Sequence, residues 1–187
     1  MEKGMKRQAM HMALGIACAA VIYFTPKEVS IAAFAIVLAA GAAISVTHRH
    51  LKPLPFIKDV MMDIEREGEK WLPGMAAMHF MLAVIVTASL FYNLEKSVAT
   101  GAIIVLAVGD GISTIAGKKF GKTRIAAGKT LEGTIAGTVA AFLGLLLLFS
   151  PAAAISGAAM GMLAEYLPLN DNYTVPIFAG LALAMVV

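Results

Sequence analysis

The chain carries about seven apolar stretches, and their length constrains its fold more than any other feature. Most of them approach the roughly 20 residues that an α-helix needs to cross a bilayer, and none alternates like a barrel strand. A mean hydropathy of +0.81 is also far too high for a water-soluble domain. We therefore expect an all-α fold, a single polytopic transmembrane helix bundle over residues 1–187. The stretches lie at 8–24, 29–47, 74–92, 97–117, 131–149, 152–164 and 173–187.

Basic residues are distributed unevenly over the loops between these stretches. If the N-terminus is cytoplasmic, thirteen Lys and Arg residues lie inside and only Lys27 and Lys96 lie outside. Because cytoplasmic loops are enriched in Lys and Arg, we predict an integral protein of the cell membrane whose N-terminus is cytoplasmic. No aromatic platform accompanies the lysines, so the sequence does not indicate nucleic acid binding.

The unusual polar residues fall on the same predicted cytoplasmic boundary. Asp110 stands between two glycines near the end of an apolar stretch, where a charged side chain costs roughly 2.5–3.5 kcal/mol. Such a carboxylate is either a neutral, hydrogen-bonded packing residue or a ligand for a cation. Glu132, Glu165 and Asp171 are predicted at the same membrane face. This pattern indicates one site at one face, with its active groups cytoplasmic.

The segment GKKFGKTRIAAGKT at 117–130 packs five basic residues into fourteen positions and ends where the next helix begins. Helix N-termini present unpaired N–H groups and a partial positive charge, so this segment is suited to phosphates. An ordinary positive-inside loop is the alternative. Carboxylates nearby would supply the oxygen ligands that Mg²⁺ prefers, and the residues together predict a site for a magnesium polyphosphate.

The residues from 108 to 137 resemble the nucleotide-binding segment of the CTP-dependent polyprenol kinases, which include dolichol kinase, phytol kinase and CTP-dependent diacylglycerol kinases. The resemblance rests on VGDGISTIAGKKFGK at 108–122, followed by GKTLEGTIAG at 128–137. It departs from the family pattern at Gln8, where a basic residue is common, and at IAAG after Arg124. Three shorter segments also resemble the family pattern and occur in the same order along the chain: RQAMHMALG at 7–15, EREGEKWLPG at 65–74 and EYLPLNDNYTVP at 165–176.

The resemblance implies transfer of the γ-phosphate of CTP to the hydroxyl of a membrane lipid alcohol, polyprenol- or dolichol-like, giving a lipid monophosphate. Asp110, Asp171 and His11 are the implied catalytic residues, with Asp171 or His11 as the base. Mg²⁺ is implied on Asp110, Glu132 and Asp171. The residues implied to bind the nucleotide are Lys118, Lys119, Lys122, Lys129, Thr130, Glu132, Gly133 and Asn172.

Two other functions stay open on the sequence. The related phosphatidate cytidylyltransferases share the Asp-containing helix and a K-K-T-x-E-G element, but their C-terminal K-D, H-G-G and D-R-x-D elements are absent here. A small ion-coupled transporter would use Asp110, yet it predicts polar residues toward the outer face, where few lie beyond Ser89 and Thr100. The sequence does not identify the lipid alcohol, and its glycine-rich helices would permit a homodimer.

Overall fold

The computed structural model describes the backbone of residues 3–50 and 74–187, and the side chains of 4–47 and 74–187. Except for Gly74, the motif at 65–74 lies outside the described residues. Every regular element in the described ranges is helical, as predicted. In chain order these elements are α1 (Lys3–Phe24), α2 (Lys27–His50), α3 (Met75–Phe91), α4 (Lys96–Ile104), a π-helical turn (Val105–Asp110), α5 (Gly111–Phe120), α6 (Leu131–Leu145), α7 (Pro151–Leu163), a 3₁₀ turn (Ala164–Tyr166) and α8 (Asp171–Val186).

Each apolar stretch of the sequence forms helix. Three helical segments are long and apolar enough to cross a membrane: Gly4–Phe24, Lys27–Thr47 and Lys96–Phe120. The third consists of α4, the π-helical turn and α5 in one continuous rod. Buried positions make up 72% of its apolar window, against 28% and 17% for the first two, so this rod is the centre of the bundle. The other apolar helices are shorter, with α3, α6 and α8 having 17, 15 and 16 residues.

The three helices after the rod begin at side chains that cap their free N–H groups. Thr130 Oγ1 accepts a hydrogen bond from Gly133 N, and Ser150 Oγ accepts one from Ala153 N. Asn170 Oδ1 accepts one from Asn172 N at the start of α8. Thr, Ser and Asn are favoured at this position because their side-chain oxygens reach these donors. The caps at α6 and α8 are the immediate neighbours of Lys129 and Asp171, so they fix the backbone beside these two residues.

Glycines on α6 and α7 allow close approach to the rod, as their small-xxx-small spacing predicts. A Cβ atom at Gly137 would lie 2.6 Å from the carbonyl oxygen of Gly109, and one at Gly161 would lie 2.7 Å from Val105 Cγ1. Both contacts are made with the π-helical turn. These glycines therefore position the turn that carries Asp110.

Replacing Gly137 by alanine should lower the melting temperature of the protein in detergent. The new methyl group would overlap the backbone oxygen of Gly109, and overpacking of this kind costs about 1–3 kcal/mol. Gly41→Ala on α2 is the matched control, because a Cβ there meets no atom within 4 Å and alanine favours helix by roughly 1 kcal/mol. Equal melting temperatures for the two variants would contradict this account of the packing.

The two lysines predicted outside lie at the same end of the bundle. Lys27 Nζ donates to the carbonyl oxygen of Ser89 at 3.3 Å, and Lys96 Nζ donates to that of Tyr23 at 3.2 Å. These contacts tie the α1–α2 turn to the region between α3 and α4. The candidate site described next involves the first half of α1 and therefore lies at the opposite end.

Candidate functional site

A cavity of about 980 Å³ opens at the end of the bundle where α1 begins. Its walls come from α1, α3, α5, the loop before α6 and the segment between α7 and α8. The rod and the surrounding helix ends thus gather residues that are distant in sequence. The predicted site residues that line it are His11, Asp110, Lys118, Lys129, Thr130, Asp171 and Asn172.

The ammonium group of Lys129 lies among three carboxylates at the floor of this cavity. Its Nζ atom is 2.8 Å from Asp171 Oδ2, 3.3 Å from Asp110 Oδ1 and 3.5 Å from Glu165 Oε1. The three acids come from α8, the π-helical turn and the 3₁₀ turn. We call these four residues the carboxylate cluster.

Lys129 is charged in this environment. Burial alone would lower its pKa, but the attraction of Asp110, Glu165 and Asp171 outweighs burial and raises the pKa above its ordinary value. The side chain of Lys129 is 18% exposed, so water screens these interactions only weakly. One internal cation therefore lies within ion-pair distance of three acidic side chains.

A tight turn in the loop before α6 directs Lys129 to the cluster. Ile125 N donates to the carbonyl oxygen of Lys129 at 2.9 Å, and Lys129 N donates to that of Ala126 at 3.0 Å. Ala127 and Gly128, with φ values of 54° and 74°, take the left-handed conformation that lets the chain reverse. The local backbone geometry of this turn thus places Lys129 where its side chain reaches the three acids.

Glu132 does not join the cluster, although it was predicted to hold metal and nucleotide. Its carboxylate accepts hydrogen bonds from the backbone N–H groups of Lys122, at 3.1 Å, and Thr123, at 3.1 and 3.2 Å. Bonds from N–H groups, its own as well as those two, hold the pKa of Glu132 below its ordinary value. Glu132 is partly exposed and does not line the cavity. In this structure it ties the loop to the first turn of α6.

Replacing Glu132 by glutamine should therefore loosen the loop. We expect trypsin to cut after Lys122 and Arg124 faster in Glu132→Gln than in the unmodified protein, because an uncharged acceptor holds the two N–H groups less strongly. Cleavage is followed by mass spectrometry. Glu28→Gln is the matched control, since Glu28 is also a glutamate in the first turn of a helix and is exposed. Unchanged cleavage in Glu132→Gln would show that this contact does not hold the loop.

The backbone N–H groups at the start of α6 are already engaged. Leu131 N donates to the carbonyl oxygen of Thr123 at 2.9 Å, and Gly133 N donates to Thr130 Oγ1 at 3.2 Å. Gly133 itself packs against the rod, because a Cβ there would lie 2.7 Å from the carbonyl oxygen of Ser113. Thr130 reaches the cavity, but Gly133 does not line it. The predicted phosphate contact at this helix end is therefore not prepared in this structure.

The predicted lysines divide into two groups. Lys118 and Lys129 line the cavity, whereas Lys119 and Lys122 do not. The Nζ atom of Lys119 instead lies 5.2 Å from the centre of the Phe120 ring. Two arginines, to which the sequence analysis gave no role in nucleotide binding, also line the cavity. The cationic wall consists of Arg7, Lys118, Arg124 and Lys129.

His11 lies between the cluster and an aromatic ring on α3. Its Nε2 atom is 3.8 Å from Asp110 Oδ2, and its ring packs edge-on against Phe80 with the centroids 4.6 Å apart. In the described part of the chain, Nε2 has no hydrogen-bond partner. The nitrogen that faces Asp110 is therefore a buried polar atom with an unused hydrogen-bonding position.

Glu165 is the site residue whose importance the sequence analysis missed, since it was placed at this face but given no role. Its side chain is fully buried, and Oε2 accepts a hydrogen bond from Ser113 Oγ at 3.0 Å. Burial raises the pKa of Glu165 to about 8, although Lys129 acts in the opposite direction. One signal was present in the sequence: Ser113 follows Asp110 by three residues and so shares its helix face.

Residues 4–47 and 74–187 contain no group of three His, Cys, Asp or Glu side chains arranged as a metal site. Asp110 and Asp171 do meet at one point, and their oxygens suit a hard cation, but the Lys129 ammonium lies at that point. Glu132 lies elsewhere. In comparisons with known proteins, no family model, no curated protein and no solved structure matches this chain.

Proposed function

We propose that the protein is a CTP-dependent kinase that transfers the γ-phosphate of CTP to the hydroxyl of a membrane lipid alcohol. In this proposal all seven apolar stretches form one bundle and the cavity opens to the cytoplasm. The observation that carries it is the carboxylate cluster inside a cavity with a cationic wall, at one end of an apolar helix bundle. The choice of CTP comes from the resemblance of residues 108–137 to the polyprenol kinases.

The cationic wall supports the binding of a polyphosphate. Arg7, Lys118 and Arg124 line the cavity and bring charge-assisted donors to it from α1, α5 and the loop. Phosphoryl transfer requires mainly positioning and stabilisation of the charge on phosphate oxygens, which such donors provide. They are the residues that would hold the β- and γ-phosphates.

The acids of the cluster supply the donor set for Mg²⁺. Asp110 and Asp171 would hold the ion, because their oxygens already lie within 3.3 Å and 2.8 Å of a common cation, the ammonium of Lys129. When bound, Mg²⁺ would neutralise charge on the phosphates. Glu165 is too well engaged by Ser113 and too deeply buried to be the first contact for a nucleotide arriving from water.

His11 is the base that the geometry favours. In the reaction, the alcohol oxygen forms a bond to the γ-phosphorus while the bond from that phosphorus to the bridging oxygen breaks, so that CDP leaves. The hydroxyl proton goes to His11 Nε2, which has no hydrogen-bond partner in the described part of the chain. Asp171, the other candidate, is occupied by Lys129 at 2.8 Å.

The position of the site suits substrates from two phases. A nucleotide arrives from water and a lipid alcohol arrives from the bilayer, so their reacting oxygens meet near the headgroup level. The cavity lies at the end of α1 and the central rod, both long enough to cross a membrane. Asp110 lies at a depth that a lipid hydroxyl reaches from the bilayer and a nucleotide reaches from water.

The test is a labelling experiment with the purified protein in phospholipid nanodiscs, using Mg²⁺, lipid alcohols and lipid phosphates. CTP is labelled on its γ-phosphorus in one set and on its α-phosphorus in another. We expect only the γ label to enter lipid, and chelation of Mg²⁺ to stop its entry. Entry of the α label would instead identify a cytidylyltransferase. If neither label of CTP entered lipid with any acceptor, and labelled ATP also failed as a donor, ion transport would become the better hypothesis.

A further inference from the structure

One flank of the cavity is lined by apolar side chains. Its side chains come from α1 and α3, which are not consecutive in the sequence. Met10 and Leu14 belong to α1, and Ala76, Ala77 and Phe80 belong to α3. The same cavity therefore joins a charged floor to a hydrocarbon-like wall.

The apolar flank adjoins the carboxylate cluster at His11. Met10, His11 and Leu14 have helical spacings of three and four residues, so they lie on one face of α1. His11 connects the two regions, since it faces Asp110 on one side and packs against Phe80 on the other. Moving along α1 from Arg7 to Leu14, the cavity lining changes from basic to apolar over about 10 Å.

The flank lies between two helices whose backbones pack mainly on other elements. The backbone of α1 packs mainly on α4 and the π-helical turn, and that of α3 packs on α2, α4 and α8. His11 and Phe80 link α1 to α3 through their side chains. Met10 and Leu14 remain 43% and 40% exposed in this structure. Because α1 is a membrane-length helix, the exposed side of this furrow faces hydrocarbon.

We propose that the furrow between α1 and α3, formed by Met10, Leu14, Ala76, Ala77 and Phe80, binds the apolar chain of the lipid acceptor. The hydroxyl then lies beside His11 and Asp110, and the chain runs along Leu14 into the bilayer. This inference rests on the proposed kinase function for the chemistry at the hydroxyl. A long hydrocarbon or prenyl chain suits the furrow because its chain can stay in the bilayer while its hydroxyl reaches the carboxylate cluster.

The first test detects binding without catalysis. The full chain in phosphatidylcholine nanodiscs is irradiated with a long-chain primary alcohol that carries a diazirine near its hydroxyl end, and the labelled peptides are identified by mass spectrometry. We expect labelling concentrated on residues 10–14 and 76–80, and suppressed by excess unlabelled alcohol but not by the matching alkane. Labelling spread evenly over exposed lipid-facing residues such as Ile135 and Leu143, or equal suppression by the alkane, would overturn the inference.

The second test compares two leucine-to-tryptophan variants in the γ-label assay. Leu14→Trp should raise KM for a long-chain alcohol about tenfold or more and change KM for CTP less than about twofold, because a bulky ring fills the furrow and leaves the cationic wall intact. Leu143→Trp on α6 is the matched control, since Leu143 is exposed and does not line the cavity. Equal effects of the two variants, or a change confined to CTP, would overturn the inference.

The two tests also separate this inference from the proposed function. If no lipid is phosphorylated but the diazirine alcohol labels the furrow with the expected competition, the furrow binds lipid alcohols and the kinase proposal fails alone. If lipid is phosphorylated while the label maps elsewhere, the kinase proposal stands and the furrow is not its acceptor site.

Discussion

Replacing Lys129 by alanine is expected to destabilise the protein more than any other single loss of a charged side chain in the described region. The variant leaves Asp110, Glu165 and Asp171 facing one another without a cation. Removing one partner of a buried ion pair typically costs about 3–5 kcal/mol, because the remaining charge stays desolvated. We expect a large drop in the melting temperature in detergent, measured without divalent ions.

Two further variants make this expectation specific. Lys119→Ala, which removes an exposed lysine outside the cavity, should leave the melting temperature almost unchanged. Lys129→Met combined with Glu165→Gln should recover part of the loss, since it neutralises one of the three acids that Lys129→Ala leaves without a cation. A melting temperature for Lys129→Ala equal to that of Lys119→Ala would show that the cluster does not depend on its ammonium.

The same variant tests the affinity of the cluster for a metal ion. With the ammonium removed, Mg²⁺ should raise the melting temperature of Lys129→Ala more than that of the unmodified protein. An ion that binds only the folded state stabilises it, and acids that have lost a neighbouring ammonium attract cations more strongly. An equal or smaller effect of Mg²⁺ on the variant would indicate that these acids do not form a cation site.

Replacing Asp110 by asparagine should reduce γ-phosphate transfer to lipid by roughly 10²–10³-fold in kcat, the range seen when one preorganised electrostatic group is removed from an active site. Asparagine has nearly the same shape, so the packing of the π-helical turn is kept. Lys129 also retains Asp171 and Glu165 as partners, so the variant should still fold. The initial rate with γ-labelled CTP is the measurement, and thermal melting verifies the fold.

Glu28→Gln is the control for this prediction, since Glu28 is exposed at the start of α2 and does not line the cavity. Its transfer rate should equal that of the unmodified protein. A rate for Asp110→Asn within about threefold of the unmodified rate would remove Asp110 from the proposed mechanism, because the loss of an essential electrostatic group is far larger. The packing alternative, in which Asp110 is only a structural residue, would then be preferred.

Several features of the site follow from the sequence alone. Asp110, Asp171 and Lys129 were each predicted for this site, and the structure brings all three within ion-pair distance. The three residues come together because each lies at or near the end of an apolar stretch, and helix ends at one end of the bundle are close together. Gly133 and Gly137, and likewise Gly157 and Gly161, have the small-xxx-small spacing typical of helix packing, and a Cβ at any of them would meet a neighbouring helix.

Other residues assigned to the site lie outside the cavity for a local reason. Glu132, Lys119 and Lys122 are near the site in sequence, but their side chains do not line the cavity. Which way a loop side chain points depends on hydrogen bonds such as those from Lys122 and Thr123 to Glu132, and these do not follow from residue spacing. Gly133 likewise does not line the cavity, and its N–H group donates to the Thr130 cap.

The sequence by itself determined the helices, their lengths and the collection of polar residues at one end, since these depend on hydrophobic length and on local caps. Only the tertiary structure decided that Lys129 balances three acids, that Glu165 is buried against Ser113, and that an apolar furrow opens beside them. The contacts from Lys129 to Asp110 and from Ser113 to Glu165 join residues 19 and 52 positions apart. Such pairs are selected by the packing of whole helices, and no local periodicity encodes them.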